Sequence, residues 1–179
     1  SPSGITANIR RIFGAEANLP VFILPFFLVD LLTNGEEMGW RGYVLPRLQA
    51  KHSALTASLI LGVVWAFWHL PKYVTHFNVV AVGWAVIHFL AFAVIQAWLY
   101  NNTKGSLLIV SVSHAISNTV GVFMPMANTT SSENMGSYIF YVLFEVLAAI
   151  VLTDVAGSAH LSQTEEKQIQ GVTMKNKNQ

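Results

Sequence analysis

The chain has 179 residues, 53% of them hydrophobic and only 11% charged, against roughly 25% charged in soluble domains. Its net charge of +1 makes no electrostatic case for nucleic acid or an acidic partner. The absence of cysteine excludes disulfides, thiolate zinc sites and cysteine nucleophiles.

The charges gather at 1–16, around 36–51 and after 154, which leaves long apolar runs between them. Residues 1–18 read as a flank. They open Ser-Pro-Ser-Gly without Met, as an appended leader or the start of a fragment would. They are not a signal peptide, because the first apolar run starts only near Leu19 and no cleavage site follows it. A spanning helix needs about 20 largely apolar residues. Five segments approach that: 19–33, 54–70, 79–100, 106–126 and 138–153. The first and last are short and must extend into their flanks or sit tilted in thin bilayer.

Between the first two lies 34–52, where Glu36, Glu37, Arg41, Arg47 and Lys51 alternate with Met38, Trp40, Tyr43, Val44 and Leu45. This pattern predicts an amphipathic helix, ending near Pro46 because proline lacks the amide donor and crowds the preceding turn. The loops at 71–78 and 101–105 are short, and 127–136 holds Asn, Thr and Ser but no Lys or Arg. The expected architecture is all-α: a polytopic transmembrane bundle over 19–157 with a polar, disordered tail over 158–179. Arg10, Arg11 and Lys72 fall on one side of the membrane. Arg41, Arg47, Lys51, Lys104, Lys167, Lys175 and Lys177 fall on the other, so the acidic segment and the C-terminus are expected in the cytosol.

Ionisable groups among apolar helices are costly, so each needs a partner or a purpose. Glu37 and Arg41 are four apart and can pair on one helical face. Glu36 is turned away by about 100°, and in partly dry surroundings it suits a general base. The plain alternative is a solvated interfacial helix with a surface ion pair. His69 ends an aromatic run, Trp65 to His69, which an interfacial aromatic belt would also explain. His114 and Asn118 share a face well inside the fourth apolar segment, for chemistry or for interhelical hydrogen bonding. For Asp30, His88, Gln96 and Glu145, structural polar contacts are expected. No His-Glu-x-x-His zinc helix, Gly-x-Ser-x-Gly elbow or Gly-rich phosphate loop occurs.

The ordered set Glu-Glu-x-x-x-Arg (Glu36, Glu37, Arg41), aromatic-x-x-x-His (Trp65, His69) and His-x-x-x-Asn (His114, Asn118) resembles the type II CAAX prenyl endopeptidases. The wider group is the CAAX protease and bacteriocin-processing family, also called the abortive-infection family. The resemblance covers about 30–122 and implies an intramembrane endopeptidase. Glu36 would activate the attacking water, with His69 helping to hold or deprotonate it. Glu37 and Arg41 would support that helix, while His114 and Asn118 would stabilise the oxyanion. Where the family has Phe, this chain has Trp65, expected to alter pocket shape more than chemistry. The resemblance favours a metal-free mechanism with no cofactor; the alternative is zinc on Glu36, His69 and His114. The implied partners are the lipid bilayer and a peptide or membrane-protein substrate, in a bacterial or archaeal cytoplasmic membrane. Two rivals stay open: a non-catalytic bacteriocin-immunity or scaffold protein, and a proton-coupled transporter using Asp30, His88 and Glu145.

Overall fold

The computed structural model describes residues 19–74, 79–123 and 135–162. The expected flank at 1–18, most of the 127–136 loop, part of the 71–78 loop and the tail from 163 lie outside the described residues. Helix α1 spans Leu19–Thr33. The acidic segment forms α2 (Glu36–Gly39), a π-helical turn (Trp40–Val44) and α3 (Leu45–Gln49). Four longer helices follow: α4 (Ala54–Val74), α5 (Val79–Asn102), α6 (Leu107–Phe123) and α7 (Met135–Ala156). No strand occurs among the described residues.

Ala54–Pro71, Val79–Asn102 and Met135–Ala156 are long and apolar enough to cross a membrane. Helices α1 and α6, of 15 and 17 residues, join them as shorter apolar members. At a rise of about 1.5 Å per residue they reach roughly 22 and 25 Å, short of a hydrocarbon core of about 30 Å. The protein is thus a helical membrane bundle. Large apolar side chains such as Val64, Phe67, Phe140, Phe144 and Leu147 face outward, as a lipid solvent permits.

Small residues hold the bundle together. Ala57 and Ala66 on α4, and Ala81, Ala85, Ala93 and Ala97 on α5, are buried. Lipid tails are as apolar as leucine, so helices associate in membranes where small side chains let backbones close up. Gly62 marks a close approach of α4 and α5: a Cβ there would stand 3.0 Å from Leu90 Cα and 3.1 Å from the Phe89 carbonyl oxygen. Helix α5 also packs on α7, and α1 packs on α6.

The amphipathic segment does not end near Pro46, as expected, but continues to Gln49. The π-helical turn just before it changes the hydrogen-bond register, so Pro46 falls in the first turn of α3. There its missing amide costs little.

One end of the bundle is closed by the first residues of the expected tail. Gly157, at φ 76, ends α7 in the left-handed conformation that glycine adopts without penalty. The carbonyls of Ala159 and Ser158 then accept the amides of Ala54 (2.9 Å) and Leu55 (3.1 Å), first-turn donors with no partner inside their own helix. Asn101 and Asn102 donate from Nδ2 to the carbonyls of His160 (2.8 Å) and Leu161 (2.9 Å). Leu161 is fully buried at φ 46, a backbone region that a leucine keeps only when its surroundings hold it there.

A methyl group added at Gly62 should cost about 1–3 kcal/mol through overpacking. Gly83→Ala serves as the control, since a Cβ there meets nothing within 4 Å. Thermal unfolding in detergent should give a lower midpoint for Gly62→Ala alone; equal midpoints would contradict the close approach.

Candidate active site

Asn34 Oδ1 takes the amide of Glu36 at 3.1 Å, which satisfies the first donor of α2 and starts the acidic segment. One turn on, Arg41 Nη1 donates to Glu37 Oε1 at 2.9 Å, with the two side chains 0% and 1% exposed. The solvated surface pair is therefore not what forms. His114 Nδ1 reaches the same oxygen from α6 at 2.7 Å. Arg41 Nε and Nη2 are buried without a hydrogen-bond partner. The guanidinium instead lies over the Trp65 ring, 4.4 Å from its centroid, where the negative face of the indole meets the cation. Burial pulls the Arg41 guanidinium below its usual range, against the opposing pull of Glu37 and Glu36.

Glu36 has different company. Its Oε2 accepts the indole N–H of Trp65 at 2.9 Å and of Trp40 at 3.2 Å. It lines an open cleft of about 280 Å³ with Gly39, Trp40, Tyr43 and Trp68. No ion pair or hydrogen bond among the described residues engages Oε1 of Glu36. Two adjacent carboxylates thus sit in unlike environments, one neutralised and buried, the other held by neutral donors beside a cleft.

His69 is half-buried, its ring stacked on Phe89 at 4.4 Å and its Nδ1 3.0 Å from the Trp65 carbonyl oxygen. A carbonyl only accepts, so the neutral ring carries its hydrogen on Nδ1 and presents Nε2 as the acceptor nitrogen. By the same logic the Glu37 carboxylate takes the Nδ1 hydrogen of His114. Asn118 Nδ2 donates to Asp30 Oδ2 at 3.2 Å and Oδ1 at 3.4 Å. Trp65 is the common neighbour. Besides its bond to Glu36 it meets His114 edge-on at 5.3 Å, His69 edge-on at 6.0 Å, and Phe92 in a stack at 5.7 Å.

Glu36, His69, His114 and Trp65 are gathered on adjoining helices, and Asn118 stands one turn from His114. The other four polar residues make structural contacts, as expected. His88 Nδ1 pairs with Glu145 Oε2 at 2.6 Å. Gln96 Nε2 reaches the Val110 carbonyl at 3.3 Å. Asp30 differs in that its partner is itself a candidate. Sequence reasoning missed Trp40 and Phe89. Trp40 had a signal, since it follows Glu36 by the same four residues that separate Glu37 from Arg41; Phe89 had none. The proposed zinc set of Glu36, His69 and His114 fits poorly. No group of three His, Cys, Asp or Glu among the described residues is arranged to hold a metal ion. A larger hollow of about 670 Å³, between α4, α5 and α7, has Asp154 as its one ionisable lining residue among the described residues.

Residues 16–120 match the type II CAAX prenyl endopeptidase Rce1-like family. A protein of Methanococcus maripaludis named CAAX prenyl protease 2 is 29% identical over 143 residues, 74% of this chain and 51% of that protein. The chain thus spans about half the length of that relative. No solved structure matches.

Removing one partner of a buried pair leaves the other charge stranded, at a cost of about 3–5 kcal/mol. Arg41→Met should therefore lower the unfolding midpoint sharply, and Arg41→Met with Glu37→Leu should recover most of the loss. Equal stability of the single variant and wild type would mean that the pair is not buried in lipid or detergent.

Proposed function

This chain belongs to the type II CAAX prenyl endopeptidase Rce1-like family, and we propose that it is an intramembrane endopeptidase in which Glu36 activates the attacking water. The observation that carries this reading is the division between the two glutamates. Glu37 is spent on Arg41 and His114, whereas Glu36 borders an open cleft with Oε1 uncommitted. Neighbouring carboxylates pushed into unlike environments are a recurring basis for acid–base roles.

In the proposed reaction, water gives a proton to Glu36 Oε1 as its oxygen attacks the scissile carbonyl. His69 Nε2 accepts the second water hydrogen as a hydrogen bond and orients the nucleophile. The oxygen of the carbonyl becomes an oxyanion, which Asn118 Nδ2 and His114 stabilise. Because the Nδ1 hydrogen of His114 is used by Glu37, donation from Nε2 requires the doubly protonated ring, with Glu37 as its counter-charge. Collapse of the intermediate breaks the C–N bond, and the proton held by Glu36 passes to the leaving amine. Donors aimed at developing charge in a low-dielectric site supply much of the rate.

The substrate is a peptide or membrane-protein segment reached from the bilayer. The name of the archaeal relative makes a prenylated peptide the first class to try, with unmodified peptides as the comparison. The cytoplasmic face is the proposed side of the cleft, following the Lys and Arg distribution. We read the mechanism as metal-free, in line with the absence, among the described residues, of a group of three His, Cys, Asp or Glu arranged to hold a metal ion.

The test is cleavage of a quenched fluorescent peptide set, prenylated and plain, by protein purified in detergent. Glu36→Ala, His69→Ala and His114→Ala should each lower kcat/KM by at least about 100-fold while remaining folded, and chelator should change nothing. Full activity in Glu36→Ala would refute the assignment. Loss to chelator with recovery on zinc would replace the metal-free mechanism with a metal-dependent one.

A further inference from the structure

Both hydrogen bonds to the Glu36 carboxylate fall on one oxygen. The Nε1–H groups of Trp65 and Trp40 converge on Oε2 at 2.9 and 3.2 Å, from α4 and from the π-helical turn. Held from two elements, the carboxylate cannot rotate about its last bond without breaking a contact. We infer that Trp65 and Trp40 are positioning residues that clamp Oε2 of Glu36 and thereby aim Oε1 at the water. The inference rests on the reading of Glu36 as the base.

The chemistry of the donors suits the task. A lysine or arginine would hold the carboxylate as firmly but would neutralise it, as Arg41 does for Glu37. An indole N–H fixes the group and leaves its charge uncompensated. Trp65 is the stronger clamp for a second reason. Arg41 lies over its ring at 4.4 Å, and a cation on the π-face draws electron density from the indole, so the N–H becomes a better donor. The ion pair at Glu37 therefore acts on Glu36 through Trp65. The ring cannot swing away, because Phe92 stacks on it and His114 and His69 abut it edge-on. A phenylalanine at position 65 would occupy similar space without the donor, so here the tryptophan changes chemistry, beyond the change of shape expected from the motif.

The test separates donor from shape. Trp65 is replaced in the full chain by 3-benzothienylalanine, an isostere that puts sulfur in place of the N–H, and by Phe. The same isostere at Trp98, whose buried Nε1 has no hydrogen-bond partner, is the control. The peptide assay should show kcat down about ten- to a hundredfold at Trp65 with KM unchanged. The effect should be smaller at Trp40, whose bond is longer. The unfolding midpoint should stay within that of wild type, and Trp98 should be silent. Wild-type kcat in the Trp65 isostere, or a rise in KM alone, overturns the clamp while Glu36→Ala remains inactive. Activity in Glu36→Ala would instead overturn the reading beneath it.

Discussion

A carboxylate buried among packed helices must be answered by charge and hydrogen bonds, and Glu37 is answered from two directions. Arg41 comes from the same segment and His114 from α6, both on one oxygen. The guanidinium then finds the Trp65 ring on α4. One buried anion thereby ties the acidic segment, α4 and α6 to one another. Buried ion pairs are seldom more stabilising than apolar residues of similar volume. The worth of this one lies in geometry. It fixes where the neighbouring residue, Glu36, must stand.

Glu36 precedes Glu37 by one step of helix and ends in another environment. That single step, about 100° of rotation, separates a neutralised group from one at a cleft. The proposed chemistry depends on this contrast more than on any distance between the histidines. A second polar group lies behind it: Phe92 stacks on Trp65 and also on His88, whose imidazole bonds Glu145 on α7. Ser117 and the Tyr141 hydroxyl meet at 3.2 Å across α6 and α7. These contacts brace the helix that carries His114 and Asn118, and they account for Glu145 without assigning it chemistry.

Local signals were legible in the sequence. The apolar runs predicted the helices closely, because hydropathy sets where chain can lie in lipid. The four-residue spacings predicted the Glu37–Arg41 pair, because that spacing is a helical turn. What escaped was long-range or depended on backbone register. His114 lies 77 residues from Glu37 and Trp65 lies 29 from Glu36; no periodicity encodes such meetings. The indole of Trp65 looked like packing, since a donor is recognised only once its acceptor is in place. The π-helical turn at Trp40–Val44 was hidden for the opposite reason. Proline at 46 signals a break, and only the altered register shows how the helix passes through it. The seating of Leu161 lay within a segment whose polarity reads as disorder.

The closure of the bundle end by 158–161 also has a consequence for how the protein is made. The amides at the start of α4 are satisfied by carbonyls more than a hundred positions later in the chain. A ribosome delivers α4 and α5 well before it delivers those carbonyls. Until then Ala54 and Leu55 must find water or lipid headgroups, and the space that Leu161 fills stands open. Final setting of this end therefore comes only after α7 has left the ribosome. The nascent protein spends that interval as a partly closed bundle, with these tertiary hydrogen bonds still unmade.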